Sequence, residues 1–318
     1  MSEPLRVAVL DDYQGVAREL GDWDRLGERV ELTVFGDHLA DEDAVQARLA
    51  PFAAVAAMRE RTPFPRSLIE RLPNLRLLVT TGMRNASIDV AAARERGVVV
   101  CGTRYGGEGT VELTWGLIHA LARQIPAEDA RVRAGGWQQT VGADLHGRRL
   151  GILGLGRIGR KVAAIGQAFG MEVVAWSRNL KAADAAAVGV ERVELDELLR
   201  TAHVITIHLV LSERTTGLIG ARELALLRPD ALLVNTSRGP IVDEPALVAA
   251  LQAGALGGAA LDVFDVEPLP ADHPLRRAPR TVLTPHVGYV TRAAYTAFFT
   301  DIVEDVERFL AGAPVREL

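Results

Sequence analysis

Three glycines constrain this chain more than any other feature. Gly154, Gly156 and Gly159 close the run Leu150-Gly-Ile-Leu-Gly-Leu-Gly-Arg-Ile-Gly159, in which an apolar strand meets the spacing G-x-G-x-x-G and then an amphipathic stretch. Gly154 permits a tight turn, Gly156 lets the backbone approach a pyrophosphate with no Cβ in the way, and Gly159 lets the next helix pack closely on the strand. Amides at the start of that helix, at Arg157 and Ile158, then face the phosphates. The same spacing also occurs in bare turns, so the flanks decide. Val162, Ile165 and Phe169 share a helical face, Gly170 stops the helix, and Met171-Glu-Val-Val-Ala-Trp176 reads as a second strand. A complete βαβ unit around the glycines predicts a dinucleotide site.

The same alternation runs through the rest of the chain. Before the glycines, Arg6-Val-Ala-Val-Leu10, Val30-Glu-Leu-Thr-Val-Phe35, Ala53-Ala-Val-Ala-Ala57, Leu75-Arg-Leu-Leu-Val79 and Val98-Val-Val100 read as strands between helical stretches. After them come His203-Val-Ile-Thr-Ile-His-Leu209, Ala231-Leu-Leu-Val-Asn235, Gly258-Ala-Ala-Leu-Asp-Val263 and Thr281-Val-Leu-Thr284. Alternating strands and helices call for open parallel sheets, whose sites lie at the carboxyl ends of strands. Val111 to Arg123, with Leu113, Leu117 and Leu121 at a spacing of four, reads as a helical bridge into a second domain. Arg131 to Gly147 reads as a long loop that packs on a partner subunit, and Arg292 to Leu310 as a helix that returns to the first domain.

With 318 residues, 48% of them hydrophobic, the chain is long enough for two cores. A net charge of -5 with no basic run speaks against nucleic acid as a partner. The single cysteine, Cys101, ends an apolar run and reads as a core residue, not a nucleophile. No apolar run approaches the ~20 residues of a membrane span, and no signal peptide is read before the first strand, so a soluble cytoplasmic protein is expected. No metal site is expected.

Three polar clusters follow strands of the second half: Asn235-Thr-Ser-Arg238-Gly-Pro, Asp262-Val-Phe-Asp-Val-Glu267-Pro and Thr284-Pro-His286-Val-Gly-Tyr. They offer a guanidinium, a carboxylate and an imidazole on neighbouring loops, the set that reduction of a 2-oxo acid requires. A planar fork holds the substrate carboxylate and polarises the carbonyl. An imidazolium gives a proton to the developing alkoxide, and a carboxylate orients the ring and favours its charged form. Taken singly, Arg238 also reads as a surface charge, Glu267 as a turn residue and His286 as one of seven histidines.

Their flanks settle the choice. With the glycine run, Asn235-Thr-Ser-Arg-Gly-Pro-Ile-Val-Asp243, Ala260-Leu-Asp-Val-Phe-Asp-Val-Glu-Pro268 and Thr284-Pro-His-Val-Gly288, the chain resembles the D-isomer-specific 2-hydroxyacid dehydrogenase family over essentially its whole length. That family includes glyoxylate/hydroxypyruvate reductases and D-3-phosphoglycerate dehydrogenases. The resemblance implies an α/β fold of two doubly wound domains. A flavodoxin-like substrate domain would comprise 1–108 and 290–318, and an inserted Rossmann NAD(P)-binding domain 109–289. It implies Arg238, Glu267 and His286 as catalytic residues and Thr236 on the cofactor. It also places Asp262 at the nicotinamide carboxamide, backbone near Gly82, Met83 and Arg84 on the substrate carboxylate, and a homodimer formed through the loop around Trp137. A formate dehydrogenase is disfavoured, because that relative pairs its histidine with glutamine. The alternative on the same fold is a nucleotide-sensing corepressor.

Two departures from the family pattern carry information. NAD-preferring members end the second strand of the cofactor domain with an acid, whereas this chain has Ser177-Arg178-Asn179. Ser177 and Arg178 suit a 2'-phosphate, so NADP is favoured over NAD. The substrate loop reads Gly82-Met83-Arg84-Asn85, placing an arginine where glycine is common. Arg84, together with Arg59, is expected to meet a second anionic group on the substrate.

Overall fold

The computed structural model describes residues 3–318. The chain divides into two compact units, one built from residues up to Gly106 together with Thr291–Leu318, the other from Gly107–Val290.

The first unit carries five parallel strands, β1 (Leu5–Val9), β2 (Val30–Val34), β3 (Ala54–Ala57), β4 (Leu77–Thr80) and β5 (Val99–Gly102), in the order β2-β1-β3-β4-β5. The 2-1-3-4-5 order is the flavodoxin-like one. Every residue of β3 and β4 is buried, as strands covered by helices on both faces must be. That requirement explains their unbroken runs of Ala, Val and Leu. The helix Arg292–Leu310 belongs to this unit and buries Tyr295, Phe298, Phe299, Ile302, Val303 and Val306. Beyond it the tail lies along the free edge of β5. Gly102 donates to the Arg316 carbonyl and Leu318 to the Val100 carbonyl, both at 2.9 Å. Cys101 is buried under that tail, and burial pushes its thiol up to about 12, which leaves it inert.

The second unit carries seven parallel strands: β6 (Arg149–Leu153), β7 (Glu172–Trp176), β8 (Glu191–Arg192), β9 (Val204–Ile207), β10 (Leu232–Asn235), β11 (Gly258–Leu261) and β12 (Thr281–Leu283). Their order is β12-β11-β10-β9-β6-β7-β8. The chain winds outward from β6 through β7 to β8, then restarts beside β6 at β9 and winds the other way. This is the Rossmann arrangement with one further strand, and its switch point lies between β6 and β9.

Three elements differ in part from the sequence expectation. Glu108–Ala122, expected as a helical bridge into a second domain, opens the second unit, and its Val111, Trp115, Leu117 and Leu121 pack with Leu150 and Val162 in the core of that unit. The start of the expected loop at Arg131 falls inside a helix, Ile125–Arg133, which buries none of its residues and therefore carries no apolar stripe to read. Phe169, expected to share a helical face with Val162, caps the helix Arg157–Ala168 and is 42% exposed, with its ring against Trp115. Among the described residues no helix is long and apolar enough to cross a membrane.

Candidate active site

The strand β6 ends at Leu153 and the chain turns at once through Gly154, whose φ of +103° is open to glycine and costly for other residues. A Cβ there would also stand 2.6 Å from the His208 carbonyl oxygen. A Cβ on Gly159 would overlap the carbonyl oxygen of Gly154, so helix and turn touch backbone to backbone. Gly156 instead has open space where a Cβ would be. It caps the helix Arg157–Ala168 with no side chain on the first amides. Uncapped amides beside an open backbone fit a pyrophosphate. Farther along, β7 gives way to a turn in which Leu180 donates to the Ser177 carbonyl at 3.0 Å. Arg178 there is exposed, and the first acidic residue after Trp176 is Asp184. Thr114 donates to the Thr110 carbonyl at 2.7 Å, so the Thr236 hydroxyl is the donor in its 2.9 Å bond to Thr114.

Arg238, Glu267 and His286 follow β10, β11 and β12, which are adjacent in the sheet. Asn235 shapes the first of these loops. Its carboxamide donates to the Arg238 carbonyl at 2.9 Å and accepts from the Ser237 amide at 3.0 Å, and Arg238 donates through Nη1 to the Ser237 carbonyl at 2.7 Å.

In the second and third loops Glu267 Oε1 accepts from the Phe264 amide at 2.9 Å, while Oε2 lies 2.6 Å from His286 Nδ1. A carboxylate acting as acceptor at both oxygens places the ring proton on Nδ1 and, in the neutral ring, leaves Nε2 as the unprotonated nitrogen. His286 is held at φ +53°, a strained conformation for a residue with a side chain. Asp262 supplies the restraint. Its Oδ1 accepts from the Thr284 hydroxyl at 2.6 Å and the Val287 amide at 2.8 Å, and its Oδ2 from the Gly288 amide at 2.9 Å. Asp262 is only 1% exposed, and burial raises its pKa against the pull of those three bonds. The carboxylate expected at the nicotinamide is thus engaged on both sides of His286. Sequence motifs flagged Asp262 and Asn235 but not this bracing, which rests on hydrogen bonds between separate loops.

In the first unit, the loop after β4 holds Gly82 at φ +88°, its amide donating to the Thr103 hydroxyl at 2.8 Å. A Cβ on Gly82 would overlap the Arg59 guanidinium, which donates to the Thr81 carbonyl at 2.8 Å. Asn85 ties the loop down through the Arg59 carbonyl at 2.7 Å and the Thr80 hydroxyl at 2.9 Å. Among the described residues the Met83 and Arg84 amides make no hydrogen bond, and both side chains are exposed.

The chain is similar to known proteins in both sequence and structure. A family model described as "D-isomer specific 2-hydroxyacid dehydrogenase, NAD binding domain" matches residues 115–288. A glyoxylate reductase of Aeropyrum pernix is 40% identical over 255 residues, 77% of this chain and 76% of that protein. A D-3-phosphoglycerate dehydrogenase of Methanocaldococcus jannaschii is 38% identical over 82% of this chain, and the match spans only 50% of that longer protein. The solved structure of a putative D-3-phosphoglycerate dehydrogenase from Ralstonia solanacearum superposes with a TM-score of 0.93 at 36% identity, covering 98% of this chain and 96% of that one. The glycine turn, the Rossmann strand order and these matches together show that the chain belongs to the D-isomer specific 2-hydroxyacid dehydrogenases, oxidoreductases with an NAD-binding domain.

Proposed function

We propose that the chain reduces small 2-oxo acids to D-2-hydroxy acids and takes NADPH in preference to NADH. The observation that carries the reaction is the 2.6 Å contact between Glu267 and His286, which fixes the ring proton on Nδ1 and leaves Nε2 as the atom that exchanges protons with substrate. When bound, the reduced nicotinamide supplies the hydride. Arg238 offers its fork to the substrate carboxylate and polarises the carbonyl. His286, protonated at both nitrogens, gives the Nε2 proton to the oxygen as it gains charge, while Glu267 stabilises the imidazolium and Asp262 keeps the loop from relaxing out of its strained turn. In the reverse direction neutral His286 takes the hydroxyl proton.

The Gly82-Met83-Arg84 loop is assigned to substrate because the Met83 and Arg84 amides make no hydrogen bond among the described residues, in a turn otherwise tightly braced at Gly82 and Asn85. The preference for NADPH rests on Ser177 and Arg178 standing where an acid would repel a 2'-phosphate. A second copy of the chain is assigned to the segment that carries Ile125, Val132, Trp137 and Val141, large apolar side chains all more than half exposed. No observation favours the corepressor alternative.

The test is turnover of glyoxylate, hydroxypyruvate, phosphohydroxypyruvate and bulkier 2-oxo acids with each nicotinamide cofactor, in wild type and His286→Ala. Removing a general acid lowers turnover on the order of 10²–10⁴-fold. Wild-type turnover by His286→Ala overturns the assignment.

A further inference from the structure

Three contacts converge on the peptide that joins Phe264 and Asp265, in the loop that carries Glu267. The first is steric: a Cβ on Gly239 would overlap the Phe264 carbonyl and stand 2.5 Å from the Asp265 nitrogen, so the turn that bears Arg238 rests on this peptide backbone to backbone. The second is the bond from the Phe264 amide to Glu267 Oε1. The third comes from a residue outside the proton-transfer couple. Glu244, the first residue of the helix Glu244–Gln252, accepts the Asp265 amide on Oε1 at 2.9 Å.

Glu244 is 6% exposed, and burial raises its pKa even though it accepts a backbone bond. Its remaining oxygen is also occupied. Oε2 lies 3.2 Å from His273 Nε2, and His273 Nδ1 accepts from the Leu275 amide at 3.3 Å. With Nδ1 acting as acceptor the ring proton sits on Nε2, so His273 donates to Glu244. The pair therefore resembles the couple beside it: a carboxylate holds a backbone amide with one oxygen and an imidazole with the other. A glutamine at 244 keeps an acceptor for Asp265 but turns an N–H toward the N–H of His273. Both interactions at once need a carboxylate.

We propose that Glu244, tethered by His273, is a positioning residue for the reaction: it fixes the Phe264–Asp265 peptide, aims Glu267 at His286, and through Gly239 keeps Arg238 in the same frame. The proposal rests on the reading that Glu267 and His286 move the proton.

It is tested on this chain with Glu244→Ala, Glu244→Gln, His273→Ala and His286→Ala, measuring kcat, KM for the 2-oxo acid, NADPH affinity by fluorescence titration, and melting temperature. Glu244→Ala is expected to lower kcat tenfold or more, with KM within about threefold and NADPH affinity within about twofold of wild type. Glu244→Gln is expected to recover kcat to about threefold below wild type while melting lower than wild type, because it restores the Asp265 bond and not the His273 one. A role in stability alone would make kcat follow melting temperature across the two variants, and that result overturns the proposal, as does wild-type kcat in Glu244→Ala. If Glu244→Ala is not recovered in soluble form, His273→Ala decides. It leaves the carboxylate in place without its tether, so a kcat lowered threefold or more at unchanged KM supports the proposal and wild-type kcat overturns it. The His286→Ala arm separates the two readings. Full turnover there removes the reaction assignment itself, whereas an inactive His286→Ala beside an unaffected Glu244→Ala removes only the positioning role.

Discussion

Arg316 donates to Asp305 across 2.9 Å, and even this ion pair leaves the carboxylate short of partners. The Asp305 side chain is fully buried on the helix Arg292–Leu310, and its Oδ2 has no hydrogen bond among the described residues. Burial pushes its pKa up to about 7 against the pull of Arg316. An unfolded aspartate titrates near 3.9. Between those values the folded chain holds a proton that the unfolded chain has lost, so stability falls as pH rises toward 7 and levels off above it. Asp305→Asn carries no such titration. The variant is expected to match wild type in melting temperature near pH 5 and to exceed it at pH 8, each pKa unit of difference being worth about 1.4 kcal/mol. Equal differences at the two pH values would show that Asp305 does not titrate in this window.

Asp305 also marks where reading the chain by pattern stops working. Strands such as Ala54–Ala57 and Leu232–Asn235, and the glycine turn at Gly154–Gly159, were legible because each is a local composition with a local cause. The three loops bearing Arg238, Glu267 and His286 were legible because residues at the ends of parallel strands share one edge of the sheet. By contrast, Asp301 and Asp305 read as two polar positions on a helix face. They are buried only because Arg104, almost 200 residues away, and Arg316, at the end of the chain, bring positive charge to them. The helix Ile125–Arg133 was missed for the opposite reason, since it has no buried face to impose a period. Glu244 gave no local signal either, because its partners Asp265 and His273 come from a later loop.

Cofactor preference follows from one turn. Ser177 is half-buried at the end of β7, Arg178 is exposed, and Arg178 has no partner among the described residues. An aspartate at 177 would accept from ribose hydroxyls and repel a 2'-phosphate. Ser177→Asp is expected to lower the ratio of kcat/KM for NADPH to that for NADH at least tenfold, measured with one saturating 2-oxo acid. An unchanged ratio would mean that Ser177 and Arg178 do not contact that end of the cofactor.

Substrate charge is the last question the geometry frames. Arg59 lies against Gly82 with its guanidinium engaged by the Thr81 carbonyl, so it is part of the loop's support as well as a source of positive potential. Arg84 differs: it is exposed, carries no ion pair among the described residues, and sits one residue beyond Met83 in the same turn. Removing it leaves the anchors of Gly82 and Asn85 untouched, so the two amides assigned to the substrate carboxylate stay in place. A substrate with one carboxylate then loses little, while one with a second anion loses a charge-assisted hydrogen bond worth about 1.5–3 kcal/mol. That corresponds to a loss of roughly 10- to 100-fold. Arg84→Ala is therefore expected to reduce kcat/KM for phosphohydroxypyruvate by that factor and to change kcat/KM for glyoxylate less than threefold. An equal loss for both substrates would make Arg84 a general contributor to the potential of the loop and remove its role in choosing between them.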